Sequence, residues 1–237
     1  GGKVRMLNKG AFDSVEAVLM IHPADADLPN ISSLAVQQLK ATYTGKAAHA
    51  AAAPEKGINA LDGAVLGYMG VAALRQHIAP YERLHGIFTN GGQKANIVPE
   101  AAETIWYARS SSMEKLEILK TRLVETLKGG ARSAACDIQI DWINEPYADV
   151  LDNTPLLEAY MKNSESLGRV IKVADDGGVV GSTDLGNVSH VVPSIHPMVK
   201  VAPKGTAIHT VDFEKCAKSK EGDEGLLDSA KSLAMTV

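Results

Sequence analysis

Leu34-Ala35-Val36-Gln37-Gln38-Leu39-Lys40-Ala41-Thr42-Tyr43 is the stretch from which the fold can be read. Apolar and polar residues alternate along it, the period-2 pattern of a strand with one buried face. Downstream, Asn59 to Ile78 carries helical spacing, with Leu61, Val65, Leu66, Met69, Ala73 and Leu74 on one side. Leu84 to Thr89 reads as a strand closed by Asn90-Gly91-Gly92, and Thr104 to Arg109 as another, with Ile105 and Tyr107 on one face. Met113 to Leu127 is expected to be helical, capped by Ser111 or Ser112 and stopped at Gly129-Gly130. Asp137 to Ile143 alternates again. The order strand, helix, strand, strand, helix, strand is that of the split βαβ, ferredoxin-like unit, here spanning residues 34–146.

Outward from this unit the pattern changes. Residues 15–22 form an apolar run ending in His22, the signature of a buried strand, and Pro23 is expected to block further pairing. A loop rich in Asp, Ala, Pro and Asn follows to Ser33. Beyond Pro146, residues 155–167 are expected to be helical, with Thr154 as the cap and Pro155 in the first turn. Residues 169–174 look like a strand, and Gly177-Gly178 to Asn187 is a glycine-rich loop. Val188 to Ile195 is apolar, broken by Pro193. Gly222 to Thr236 reads as a closing helix, with Leu226, Leu227, Ala230, Leu233 and Ala234 spaced for burial. Segments 1–33 and 147–237 are therefore expected to be the two flanks of a larger α/β domain interrupted by a small α+β one.

Composition narrows the function classes. With 237 residues the chain can bury a real core, and 45% hydrophobic with 22% charged residues is ordinary for a globular protein. A net charge of -4 implies no nucleic-acid partner. No apolar run reaches the ~18 residues that would span a bilayer, so no membrane partner is expected. Cys136 and Cys216 lie far apart without metal-type spacing, which suits a reducing, cytoplasmic compartment better than a disulfide scaffold.

Several polar residues stand where chemistry could occur. His22 ends a strand, the place where open α/β sheets meet ligands, and neutral imidazole is a standard zinc ligand. His209, in Gly205-Thr206-Ala207-Ile208-His209-Thr210, and His196, in a His-Pro pair that repeats His22-Pro23, are open to the same reading or to a structural one. His49 sits on an alanine-rich loop and by itself reads as a surface histidine in preference to a functional one. Asn96 and Arg109 could bind a carboxylate, since the planar fork of Arg matches two oxygens. The run Gly181-Ser182-Thr183-Asp184 could be a plain turn, or could offer backbone N–H groups to an anion.

In combination, five stretches resemble the peptidase M20 family of metal-dependent amidohydrolases. They are MIHP at 20–23, YTGKAAHAAAAPEKGINALDGAV at 43–65, HGIFTNGGQKANIVP at 85–99, GSTDLGNVSHVVPSIHP at 181–197 and IHTVDF at 208–213. The resemblance implies a zinc-aminopeptidase-like α/β catalytic domain, with residues 34–146 as an inserted lid and dimerisation domain. It implies two divalent metal ions, zinc or alternatively manganese, with His22 and His209 as metal ligands. His49 would be the lid histidine that polarises the scissile carbonyl. Asn96 and Arg109 would hold the substrate carboxylate, and Gly181, Ser182 and Thr183 would line the same pocket. The implied substrate is a dipeptide or N-acyl amino acid, and the implied assembly is a homodimer through the lid. The family's acidic ligands and catalytic glutamate precede a glycine-rich run ending in Lys, matched here by Gly1-Gly2-Lys3. The chain is therefore expected to be the downstream portion of such an enzyme, inactive alone. The alternative is a truncated, non-catalytic relative acting as a dimerisation or regulatory partner.

Overall fold

The computed structural model describes residues 1–30, 32–172 and 180–237. The chain divides into two compact units, Gly1–Ser33 with Asp149–Val237, and Leu34–Ala148. The first segment holds helix α1 (Gly2–Asn8) and the short strands β1 (Val18–Leu19), β2 (His22–Ala24) and β3 (Ser32–Ser33). The second unit runs β4 (Ala35–Thr44), α2 (Ala60–Leu74), β5 (Arg83–Asn90), β6 (Ala101–Ser110), α3 (Met113–Ser133) and β7 (Asp137–Tyr147). The chain then returns through α4 (Thr154–Ser166), β8 (Val180–Gly181), α5 (Leu185–Ser189), β9 (Ser194–Ile195), β10 (Met198–Lys200), α6 (Val211–Ala217) and α7 (Lys220–Thr236).

The unit Leu34–Ala148 is a four-stranded antiparallel sheet of order β5-β6-β4-β7, backed by α2 and α3. This is the ferredoxin-like order that the strand and helix pattern implies. One face of the sheet buries Leu39, Ala41, Tyr43, Trp106 and Ala108 against Leu116, Leu119, Leu123 and Leu127 of α3. Ile105 and Tyr107 lie on the other face of β6, as alternation demands. Asn59 caps α2 by accepting from the N–H groups of Leu61 and Asp62, and Ser112 caps α3 by accepting from Lys115.

Two sequence expectations fail here for one reason. The buried face of α2 is Ala60, Gly63, Ala64, Gly67 and Val71, whereas Val65, Leu66 and Met69 are exposed. Nor does α3 stop at Gly129-Gly130; it continues to Ser133. A Cβ on Gly130 would stand 2.2 Å from the backbone nitrogen of Gly67. The two helices cross backbone against backbone, and the glycines that resemble a helix stop are the crossing point.

The unit formed by the two flanks contains three parallel strand pairs among its described residues, β1–β9, β2–β10 and β3–β8. The expected strand over 15–22 is instead two short strands. Pro23 lies inside β2, in register with Val199, rather than ending it. The pairing tolerates it because the ladder uses the His22 N–H, which donates to Pro197, and the Ala24 carbonyl, which accepts from Val201. The cap of α4 is Asn153 rather than Thr154, with the Asn153 side chain accepting from Leu156. Residues 169–172 are not a strand, and the remainder of the expected strand over 169–174, with the start of the glycine-rich loop, lies outside the described residues. The closing helix α7 buries Gly222, Gly225, Ser229 and Ser232 and exposes Leu226 and Leu227. Small residues let it lie close to α4, where the Ser164 and Ser232 hydroxyls bond at 3.0 Å.

Candidate functional site

His22 occupies the first position of β2, half-buried, with its backbone in register with Met198. Its Nδ1 lies 2.8 Å from the carbonyl of Pro23. With Nδ1 donating there, Nε2 carries the lone pair, the arrangement of a histidine ligand held by a backbone carbonyl. His209 is exposed and takes a φ of +64°, a left-handed backbone rare for a residue with a side chain. Two observations bring its segment to that of His22. Gly205 donates to Asp25 Oδ2 at 2.7 Å. Ile21 and Ile208, the residues before the two histidines, pack on the same small cluster of Val199, Val201, Ala202 and Phe213.

His196, which the sequence leaves open between a ligand and a structural role, lies beside His22. The two ring centroids are 5.9 Å apart and inclined at 60°. His196 is 1% exposed, and neither ring nitrogen has a hydrogen-bond partner among the described residues. Burial, with the nearby charges of His22 and Lys3 adding to it, pushes the imidazole down to about 4. It is therefore neutral at physiological pH. The signal in the sequence was the repeated His-Pro pair; what it lacked was the strand register that sets the two side by side.

Gly181 pairs with Ser33 across β8 and β3. Thr183 then turns the chain, its Oγ1 accepting from Leu185 and its carbonyl from Gly186. Asp184 accepts from both the backbone N–H and the ammonium of Lys3, the latter at 2.6 Å. Burial works to raise the Asp184 carboxyl, but the Lys3 hydrogen bonds and charge outweigh it and hold the group below the usual range. Gly181, Ser182 and Thr183 thus belong to a loop pinned to α1.

In the other unit, the His49 and Asn96 loops are laced together. Ala50 donates to the carbonyl of Asn96 at 3.1 Å, Val98 donates to that of Ala48, and His49 bridges Ile97. The ring of His49 is fixed by its own loop, with Nδ1 accepting from Ala51 and Ala52, so Nε2 bears the proton. Arg109 lies elsewhere. It ends β6, in register with Val36 and Arg83, with its Nε 3.4 Å from His85 and its guanidinium over the Tyr107 ring. Burial, then the charges of Arg109 and Arg75, lowers the pKa of His85. From Ala101, next to the Asn96 loop, to Arg109 the strand runs roughly 27 Å at about 3.4 Å per residue. One copy of the chain therefore presents Asn96 and Arg109 at opposite ends of its sheet.

Among the described residues no group of three or more His, Cys, Asp or Glu side chains is placed to hold a metal. The residues present still fit part of such a site. His22 offers a lone pair oriented by a backbone bond, and His196 offers a buried nitrogen with nothing else to satisfy it. No helix among the described residues is long and apolar enough to cross a membrane.

The family model of the M20 peptidase dimerisation domain matches residues 35–134. The chain is 38% identical to the human Xaa-Arg dipeptidase across its whole length, and it spans 54% of that relative. It is 26% identical over 99% of its length to one of the subunits of the p-aminobenzoyl-glutamate hydrolase of Escherichia coli, spanning 60% of it. Among solved structures, an aminobenzoyl-glutamate utilization protein from Klebsiella pneumoniae superimposes with a TM-score of 0.74 at 17% identity, covering 98% of this chain and 56% of that one. A Bacillus subtilis dinuclear metal binding peptidase of the M20 family gives 0.66 at 14% identity, covering 99% and 62%. The chain thus shares its α/β fold with these solved structures, and it spans about half the length of the curated relatives it matches.

Proposed function

We propose that this chain is part of a metal-dependent M20 amidohydrolase that cleaves the amide bond of a dipeptide or N-acyl amino acid. In this reading the unit of residues 1–33 and 147–237 is catalytic, and residues 34–146 are the lid and dimerisation domain. The similarity to Xaa-Arg dipeptidases favours a dipeptide. The observation that carries the reading is the joining of the His22 and His209 segments through the Gly205–Asp25 bond and the shared Ile21/Ile208 packing. His22 and His209 would hold metal, zinc or manganese, with two ions in a complete site. When bound, such an ion polarises the scissile carbonyl as a Lewis acid. Acidic ligands and a general base would come from parts of the parent protein that these residues do not include. The loop Gly181-Ser182-Thr183 would line the substrate pocket. Neither cysteine is in a disulfide, which fits a cytoplasmic setting.

The lid would act across a homodimer. Leu34 and Ala148, where the chain enters and leaves this unit, lie at the Arg109 end of the sheet, and His49 with Asn96 lies at the other. A substrate carboxylate held by both Asn96 and Arg109 would therefore take them from different subunits. The His49 Nε2–H would donate to the carbonyl oxygen as charge builds on it. The exposed Val65, Leu66 and Met69 of α2 supply an apolar surface for the subunit contact.

The test is His22→Ala in the complete parent protein, read by bound metal and dipeptide turnover together. Loss of both is expected; full metal content with normal turnover would return His22 to a structural role. The alternative, a non-catalytic dimerisation or regulatory partner, is favoured by the lack of a three-ligand cluster among the described residues. A parent protein that dimerises but never hydrolyses a dipeptide would establish it.

A further inference from the structure

His22-Pro23 opens β2, and His196-Pro197 links β9 to β10 on the neighbouring parallel run. Leu19 is in register with Ile195 and His22 with Met198, three residues further along each chain. The backbone stays in step between these pairs, with Met20 donating to Ile195 and His22 to Pro197. His196 is therefore opposite Met20, two residues before His22, and the period-2 alternation puts positions 20 and 22 on one face. The two imidazoles are diagonal neighbours on that face, which is why their centroids come within 5.9 Å.

A histidine 1% exposed with two unpartnered nitrogens is costly, because a buried polar atom left unsatisfied has given up its hydrogen bonds to water with nothing in return. Such a group calls for a ligand. Two imidazoles on one tetrahedral zinc, with each nitrogen about 2.0–2.1 Å from the ion, set their ring centroids roughly 5 Å apart. The observed 5.9 Å is that spacing with a small side-chain adjustment left to make. His22 already points its Nδ1 at the Pro23 carbonyl, leaving Nε2 to the ion.

We propose that His196 and His22 grip one divalent metal ion together, His196 adding a second ring nitrogen beside that of His22. The inference rests on the reading of His22 as a metal ligand and extends it to a residue to which the M20 resemblance assigns no role.

The test uses the 237-residue chain, zinc alone as the probe, and the ring nitrogens of the histidines followed by ¹⁵N NMR, with calorimetry for affinity. Zinc is expected to move the ring-nitrogen resonances of His22 and His196 in parallel, at one stoichiometry. His196→Phe, which keeps a buried ring and removes both nitrogens, is expected to weaken zinc binding at least about 10-fold. If zinc moves His22 but not His196, or if folded His196→Phe binds zinc as tightly as the parent chain, the inference fails while the metal role of His22 stands. If zinc moves neither ring, the inference fails, and the metal role of His22 is decided separately by His22→Ala in the complete parent protein. Should His196→Phe not fold, the NMR of the unsubstituted chain decides alone.

Discussion

Asp152 has one carboxylate oxygen bonded to Asn30 at 2.8 Å and the other buried without a partner. Burial raises its pKa above the ordinary 3.8, and the Asn30 bond offsets this only in part. A group with a raised folded pKa contributes its stability below the unfolded value and loses it as pH rises through the folded one. The ionised carboxylate is thus a burden at neutral pH. Asp152→Asn keeps an oxygen for Asn30 and removes the charge, so it should stabilise the protein at pH 7 by about 1 kcal/mol. The advantage should vanish below about pH 3.8, where both side chains are neutral. Urea denaturation at pH 7 and pH 3 measures this; equal stabilities at pH 7 would refute it. Asp184 has the opposite sign. Its lowered pKa stabilises above the usual carboxylate value and is lost as pH falls through the folded one, so Asp184→Asn should flatten the acid limb of the same curve.

At the scale of elements, α2 and α3 supply an internal control. The Cβ of an alanine at 130 would meet the Gly67 backbone nitrogen at 2.2 Å and its Cα at 2.5 Å, and a backbone held inside a helix cannot yield cheaply. At 129 the same methyl meets nothing within 4 Å. Gly130→Ala should therefore destabilise by about 1–3 kcal/mol through overpacking. Gly129→Ala should stabilise by roughly 0.5–1 kcal/mol, the ordinary gain of alanine over glycine in a helix. Thermal unfolding of the pair decides; a matching sign at both positions would show that the helices do not cross as described. The adjacent apolar face of α2 is exposed in the single chain. If it is the subunit contact, Met69→Glu should shift the protein from dimer to monomer in analytical ultracentrifugation without lowering its melting temperature by more than a few degrees.

With no three-ligand cluster among the described residues, the 237-residue chain alone should show no chelator-sensitive hydrolysis of dipeptides. Any such turnover by the purified chain would show that the ligand set is more complete than described. In the complete parent protein, His49→Ala should lower kcat by about 10²–10³ with metal content unchanged, the effect of removing one oxyanion donor. Mixing His49→Ala subunits with His22→Ala subunits should restore activity, because a two-fold dimer then contains one intact shared site. Mixed dimers that form and stay inactive would place His49 in its own subunit's site or outside catalysis.

The order of elements in residues 34–146 and a serine cap at 111 or 112 could be read in the sequence, and the structure chose Ser112. Alternation, helical spacing and capping are local properties, carried by residues a few positions apart. The resemblance to M20 peptidases was legible as well, because the quoted motifs run in order along nearly the whole chain, and the peptidase dimerisation-domain model matches residues 35–134. Which helix faces are buried was not legible. Large apolar residues mark the faces of α2 and α7 that stay exposed, while glycine and serine mark the buried ones, and only the close approach of a second helix makes a small residue the better choice. The separation of Asn96 from Arg109 likewise follows from β6 running the length of the sheet between them. The pairing of His22 with His196 comes from strands 174 positions apart in the chain brought into register, from 22 to 196. Local chemistry determined which elements form and which family the motifs resemble; long-range packing and register decided which side chains share a face and which chemistry they can perform together.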